Sequence, residues 1–486
     1  MRALMWFRSD LRVADNTALA AACDAADEVV GVFVVAPQQW RSHDWGAMRV
    51  DFTVRSVEAL RHSLAKLNIP LIVLRVDRFA DAPAAVSRFA KAAGCGGVWW
   101  NDEPEVNEIA RDSAVEAALS AIDVKAHRFI DQTILDVSTI RTASDQWYTV
   151  FTPFRRRWLE HWRDSGAVIA KPPARRAAVS LDDSALCGLP LVEPGALLDI
   201  VAEFEGTTRS DLWKAGEGEA RQRLSRFIDE RVGDYDNRRD FMAVNGTSVL
   251  SPYLAVGAIS ARQCFEAARE TNRGKADGGK KGIDTWISEL IWREFYRHVL
   301  MGFPHVCRGR AFRREVDEAV EWRYDEGDFR RWQSGESGYP IVDAAMRQLA
   351  QTGWMHNRAR MIVAMFLSKH LLIDWRWGER HFMRHLVDGD FASNNGGWQW
   401  SASTGTDAAP YFRIFNPFSQ SAKFDSDGAY IRRFVPELAK APAAALHDPD
   451  KLADADLDYP ALVVDHPAGR ARALAAFKQA SRHDAR

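Results

Sequence analysis

Paired cysteines are the first thing this 486-residue chain lacks. Cys23, Cys95, Cys187, Cys264 and Cys307 stand singly, which argues against a disulfide framework or a zinc knuckle and points to a reducing cytoplasm. No apolar run approaches the roughly 18 residues that a membrane span requires, so no membrane partner is expected. The opening MRALMWFRSDLRVAD places Arg8, Asp10, Arg12 and Asp15 where a signal peptide needs an unbroken apolar segment, and export is not expected. No Gly-x-Gly-x-x-Gly follows the first apolar run, and GEGEAR at 216–221 is too weak a substitute, so no NAD site is assigned. The DGD at 388–390 lacks the remaining ligand spacing of a calcium loop, and no metal is expected. The net charge is only -2, so any nucleic-acid partner must be met by a local basic patch and not by a global field.

What is present describes a globular protein, 47% hydrophobic and 27% charged, and long enough for two or three domains. Residues 1–130 alternate β-branched or aromatic runs with Ala-rich helical stretches: ALMWF, AALAAACDAA, EVVGVFVV, VRSVEALRHSLAKL, IPLIVLRV, APAAVSRFAKAAG, GVWWN, VKAHRFI. This βαβ series predicts a doubly wound parallel sheet, Rossmann-like in form. Residues 131–204 carry Pro and Gly at KPPARR and CGLPLVEPGAL without a sustained period, and are expected as a surface linker. From 205 to 486 the apolar residues recur at three- and four-residue steps, as in IDTWISELIWREFYRHVLM and HNRARMIVAMFLSKHLL. That predicts an all-α domain. The fold class is therefore α/β plus all-α.

Of 18 tryptophans, nine fall between 286 and 400. An aromatic core accounts for most of them, but indole is also a flat stacking platform and an easily oxidised one. In DGDFASNNGGWQWSASTGTDAAP, 388–410, Trp398 and Trp400 follow paired amides and glycines amid aspartates, a composition that suits a lined pocket better than either a core segment or a plain loop. NGTSVLSPYLAVGAIS, 245–260, gathers Thr247, Ser248 and Ser251 around a helix start, a phosphate cradle or simple capping. In WISELIWREFYRHV, Trp286, Glu289, Arg293 and Tyr296 lie three or four apart, with Trp292 three beyond Glu289. This is a core helix with a charged face, or an aromatic wall beside a carboxylate that needs a partner. GWMHNRARM sets Asn357 and Met361 on one helical face, with Arg358 and Arg360 elsewhere. Arg360 is placed to pair with an aspartate of DGD, as on any surface helix with salt bridges.

WFRSDLRVADNTAL, SELIWREFY, TGWMHNRARM, DGDFASNNGGWQWSASTGTDAAPYFRIFNP and KFD together closely resemble the DNA photolyase and cryptochrome family, in particular the bacterial class I cyclobutane pyrimidine dimer photolyases, from residue 2 to about 475. The resemblance implies a helical domain that binds a U-shaped FAD. Under blue light the reduced flavin donates an electron to a flipped-out dimer, the dimer splits, and the electron returns. Position by position it assigns Tyr235, Thr247, Ser248, Val249, Leu250, Ser251, Trp286, Asp388, Gly389 and Asp390 to FAD, with the 247–251 segment at the phosphates. It sets Asn394 opposite flavin N5, where an amide tunes protonation, and lays an Arg360–Asp388 ion pair across the ring system.

On the side of the UV-damaged DNA, the same match makes Trp292 and Trp400 aromatic walls for the dimer, Glu289 and Asn357 partners for base edges, Met361 a polarizable filler, Arg293 and Tyr296 further contacts, and Arg358 a backbone contact. Trp398, Trp375 and Trp322 match a chain of tryptophans that reduces the flavin by electron hopping. His43, Asn107 and Glu108, with Cys307 and Arg308, resemble the site of a 5,10-methenyltetrahydrofolate antenna, Arg308 standing near a position where relatives carry Lys. A carboxylate suits the adjacent donors of a pterin edge.

A (6-4) photolyase is expected to show histidines where this chain has Asn357 and Met361. A cryptochrome photoreceptor is expected to carry a long polar extension after ALAAFKQASRHDAR. A flavin electron carrier has no use for a lesion pocket. The expectation is a monomeric dimer-repair enzyme.

Overall fold

The computed structural model describes residues 1–193, 195–455 and 457–483. They form two compact units: Met1–Tyr148, Thr152–Gly233 and Ser248–Pro304 in the first; Thr149–Phe151, Asp234–Thr247 and the chain from His305 onward in the second.

The first unit is built on five parallel strands, β1 (Arg2–Phe7), β2 (Glu28–Val35), β3 (Leu71–Arg75), β4 (Cys95–Asn101) and β5 (Lys125–Phe129), in the order β3-β2-β1-β4-β5. Registers such as Leu4 with Val30 and Val98 with Ala126 keep the apolar residues of neighbouring strands level. β1 and β2 are buried along nearly their whole length, as strands covered on both faces must be, and for that reason they read as continuous apolar runs and not as alternating ones. The intervening helices are α1 (Thr17–Ala25), α2 (Ala47–Ala65), α3 (Ala82–Ala92) and α4 (Val106–Ser120). Asn16 starts α1 by accepting the N–H of Leu19, one of the orphan donors of a helix start. The strand order reverses between β1 and β4, the switch point at whose carboxyl side doubly wound sheets bind ligands.

The stretch 131–204 opens with buried Ile134, Leu135, Val137 and Ile140 and then forms the helix α5 (Phe151–Ser165). Buried Phe151, Phe154 and Trp158 give α5 its three- and four-residue apolar steps, interrupted in the sequence by arginines. Regular structure is absent from 166 to 182.

Helices α6 (Glu217–Glu230), α7 (Ala261–Thr271) and α8 (Lys281–Gly302) belong to the first unit, and buried polar groups tie α7 and α8 into it. Glu294 of α8 accepts the N–H groups of Ile134 at 2.5 Å and Leu135 at 3.3 Å and the indole N–H of Trp158 at 2.9 Å. Arg262 of α7 bridges Asp131 at 2.6 Å and Asp15 at 3.0 Å, Arg12 pairs with Asp131, and Ser260 donates to Asp15 at 2.5 Å. Burial would raise Asp131, but the two guanidinium groups outweigh it and hold the carboxyl far below its usual range. Gly257 (φ +68°) permits the close approach beside this network: a Cβ there would meet the Ser9 carbonyl oxygen at 2.1 Å.

No strand occurs among the described residues of the second unit. Its main helices are α9 (Pro340–Thr352), α10 (Asn357–Met365), α11 (Trp375–His385), α12 (Phe391–Ala402) and α13 (His466–His483), and a π-helical turn, Phe366–His370, follows α10 directly. One apolar cluster holds Trp332, Tyr339, Phe366, Trp375, Phe382 and Trp398. Among the described residues no helix is long and apolar enough to cross a membrane.

Candidate active site

The expected site residues divide between the two units. In the first, the turn before the short helix Ser251–Ala255 has Val249 at φ +51° and Leu250 at φ -91°, ψ -7°. A β-branched residue with positive φ is a genuine outlier of a kind that clusters at ligand clamps. Alternation of hand between consecutive residues turns their N–H groups to one side and forms an anion-binding nest. Leu250, whose side chain carries no oxygen to accept an N–H, occupies the cap position of that helix. Simple capping therefore does not account for the segment, and the backbone suits the phosphates of a dinucleotide.

Trp286 is buried and tilts against Phe227 at 4.9 Å. One turn along α8, Glu289, Trp292, Arg293 and Tyr296 are half-buried. Trp292 packs edge-on to Phe295 at 5.6 Å and beside Tyr296 at 5.7 Å, which fixes its plane. Arg293 donates to the carbonyls of Gln132 at 2.5 Å and Leu254 at 3.5 Å.

His43 follows the carboxyl end of β2 and Asn107 and Glu108 that of β4, and the three side chains come together. The side-chain amides of Gln39 and Asn107 each lie 2.9 Å from His43 Nε2. Two amide donors on one ring nitrogen make it the acceptor, so the hydrogen sits on Nδ1, 3.6 Å from Glu108 Oε1. Burial, with Arg49 and Arg111, holds the imidazole down at about 4. Burial and the neighbouring Glu103 push the Glu108 carboxyl up to about 7. Burial would raise Glu103 as well, but Arg111 and Arg8 outweigh it and hold that carboxyl at about 2. Phe79, edge-on to His43 at 5.5 Å, and Arg111, 4.7 Å over Phe79, complete the cluster; neither is marked by the sequence motifs. Cys307, half-buried, and Arg308, exposed, lie in the second unit, in the turn Pro304–Arg308.

In the second unit the expected ion pair is present. Arg360 Nη2 lies 2.7 and 3.0 Å from the two oxygens of Asp388, and Arg360 Nε donates to the Met355 carbonyl at 2.9 Å. Asp388 is buried and Arg360 a quarter exposed. Gly389 is buried, and Asp390 caps α12 by accepting the N–H of Ser393 at 2.9 Å. Asn394 gives its Nδ2 to the Glu379 carbonyl at 3.0 Å, which leaves Oδ1 as an outward acceptor. A buried relay supports it. Phe312 N–H donates to Gln399, Gln399 to Asn395 at 2.8 Å, and Asn395 to the Glu379 carboxylate at 2.7 Å. Tyr235 is buried under the Arg239 guanidinium at 5.4 Å, and Thr247 is half-buried.

Trp398 and Trp400 both lie on α12, so they diverge by about 200° at 3.6 residues per turn. Trp398 is buried, edge-on to Phe382 at 5.0 Å and to Trp332 at 6.1 Å, and its Nε1 has no partner among the described residues. Gly378 supplies the room: a Cβ there would stand 2.0 Å from the Trp398 ring. Trp400 is half-buried, with the Arg413 guanidinium 5.8 Å from its ring. Trp375 donates to Asp317 Oδ1 at 3.0 Å and Trp322 to the Asp317 carbonyl at 3.2 Å. The outer two indoles thus share one aspartate. Asn357 is exposed and Met361 half-buried on α10. Arg358 is spent within the unit, 2.7 Å from Asp240 and 4.5 Å over Phe424.

The chain is similar to known proteins along its length. The family model described as the FAD binding domain of DNA photolyase matches residues 286–479, and that described as DNA photolyase matches 3–176. A deoxyribodipyrimidine photo-lyase of Vibrio cholerae is 44% identical over 98% of this chain and 99% of its own, and one of Escherichia coli is 42% identical over 98% of each. Among solved structures, a class III photolyase from Agrobacterium tumefaciens superposes with a TM-score of 0.86 at 37% identity, covering 99% of this chain and 98% of that one. A Synechocystis cryptochrome superposes with a TM-score of 0.82 at 27% identity, covering 97% and 98%.

Proposed function

The chain belongs to the DNA photolyase family, and on that premise we propose that it is a deoxyribodipyrimidine photo-lyase, an enzyme that repairs cyclobutane pyrimidine dimers in DNA using light and FAD. The observation that carries the reading is the polar constellation of α10 to α12. It comprises the Arg360–Asp388 pair at 2.7 Å, the Oδ1 of Asn394, which has no hydrogen-bond partner among the described residues, and the divergent Trp398 and Trp400.

The residues fit FAD. In the first unit the nest at Val249 and Leu250 offers N–H donors to phosphates, and Trp286 is a further FAD residue there; in the second unit the FAD residues are Tyr235, Thr247, Asp388, Gly389 and Asp390. Bound FAD supplies light absorption and one-electron chemistry. The protein's own groups do the rest. Arg360 and Asp388 present a fixed, near-neutral pair. Asn394, with its nitrogen tied to Glu379, presents an oxygen that accepts a proton-bearing nitrogen. Trp398 is an oxidisable ring inside an apolar shell. On the substrate side, Trp292 and Trp400 offer flat faces, Glu289 and Asn357 hydrogen-bonding groups, and Met361 an adaptable contact. A saturated dimer stacks poorly in the duplex and costs less to flip out than a normal base.

We assign the His43, Asn107 and Glu108 cluster to a folate antenna, 5,10-methenyltetrahydrofolate, and the protein to the cytoplasm as a monomer. The decisive experiment is to illuminate the reduced protein with dimer-containing DNA and follow the pyrimidine absorbance. The expected result is recovery of that absorbance; its absence under light that excites the flavin refutes the reading.

A further inference from the structure

A depression of about 480 Å³ lies in the first unit between α5 and α8, lined by Arg155, Arg156, Leu159 and Arg163 on one side and Asp277 and Ser288 on the other. We infer that it is a binding site for backbone phosphates of the DNA substrate, with Arg156 and Arg163 as the contacts. The inference rests on the proposed repair function and adds to it a charged surface that the motifs do not assign.

Three observations carry it. The first is free charge. Arg155 is neutralised by Asp277 at 2.6 Å and Arg157 by Glu160 at 3.2 Å, whereas Arg156 and Arg163 are exposed and have no ion-pair partner among the described residues. The second is spacing. Seven residues apart, the two stand on one face of α5 about 10.5 Å apart along the axis, close enough for both to reach phosphates of one strand. Leu159 lies between them, buried, and gives the depression an apolar floor from which the guanidinium forks project. The third is place. Ser288 of the lining precedes Glu289 in the chain and lies one turn before Trp292 on α8. Phosphates flanking a dimer seated against Trp292 therefore fall at this depression. A chain of net charge -2 needs such a local source, and Arg358 is already paired with Asp240.

The test is the affinity of the full protein for a dimer-containing duplex and for the same duplex undamaged, against salt concentration. For Arg156→Ala/Arg163→Ala the slope of log affinity against log salt falls by about 1.8, two phosphate contacts at about 0.9 each, and affinity near physiological salt falls about 10- to 30-fold for both duplexes. FAD content and thermal unfolding serve as controls for folding. Arg156→Lys/Arg163→Lys keeps the charges and retains most of the slope. A wild-type slope in the alanine pair overturns the inference. So does a lysine pair that falls as far as the alanine pair, since that loss is structural. A wild-type protein that does not distinguish the damaged duplex from the undamaged one instead refutes the repair function on which the inference stands.

Discussion

The side-chain amide of Asn394 donates to the backbone carbonyl of Glu379 at 3.0 Å, and that single bond decides which end of the amide is offered outward. With nitrogen committed, Oδ1 is an acceptor. Asn394→Ala removes it while keeping the α12 backbone. One hydrogen bond of this kind contributes about 1.5 kcal/mol, so bound reduced flavin is expected to oxidise in air about tenfold faster. Stopped-flow absorbance measures this, and an unchanged rate means that Asn394 does not face the flavin.

The proposed function gives the two tryptophans of α12 separate tasks. Trp398→Phe keeps the bulk above Gly378 but removes the oxidisable indole. Light-driven reduction of oxidised FAD is expected to be largely lost, while repair by chemically reduced enzyme survives. Trp400→Ala removes a stacking face worth roughly 1–3 kcal/mol and weakens dimer binding by about 5- to 150-fold, with photoreduction close to normal. If Phe at 398 cripples dimer binding, or Ala at 400 blocks photoreduction, the division is wrong.

Asp388→Asn leaves the Arg360 guanidinium without its counter-charge. Breaking a buried pair costs a few kcal/mol. With Arg360 a quarter exposed, solvent screens part of that cost, and about 2 kcal/mol is expected, roughly a 30-fold loss in FAD retention. Dialysis against FAD-free buffer measures it, and full retention argues against the pair as a flavin contact.

At the antenna cluster, Glu108→Ala is expected to remove a near-ultraviolet band distinct from that of FAD and to leave directly driven repair intact. A purified protein carrying a deazaflavin, or a persisting band, defeats the folate assignment.

The same cluster predicts a pH dependence. Glu108 is raised to about 7 in the folded protein, so the folded state binds its proton more tightly than the unfolded state. Its contribution to stability is present below about pH 4.5 and is lost as pH rises through 7. Glu108→Gln should match the wild type near pH 5 and be more stable above pH 7, by up to about 3 kcal/mol in antenna-free protein. His43 runs the other way: lowered to about 4, it costs stability as pH falls from 6.5 to 4. Thermal unfolding of both proteins at pH 6.5 and 8 isolates Glu108. Equal shifts in both remove the basis for its raised value.

The sequence by itself determined what depends on local pattern and on motif identity. β1 and β2 are legible because strands covered on both faces must be apolar throughout. Both tryptophans of GGWQWS, the DGD aspartates and the WREFY helix are legible as motifs. Tertiary structure alone decided the partners, because hydrogen bonds and ion pairs join residues far apart in the chain. Period shows that α8 has an apolar face, but only the bonds from Ile134, Leu135 and Trp158 to Glu294 show what covers it. The arginines of TGWMHNRARM look alike in sequence, yet Arg360 is held by Asp388 and Arg358 by Asp240. Trp332 and Phe382 carry no motif and are nonetheless the rings against Trp398. Nor does any local rule separate Arg155 from Arg156: one pairs with Asp277, and the other has no ion-pair partner among the described residues.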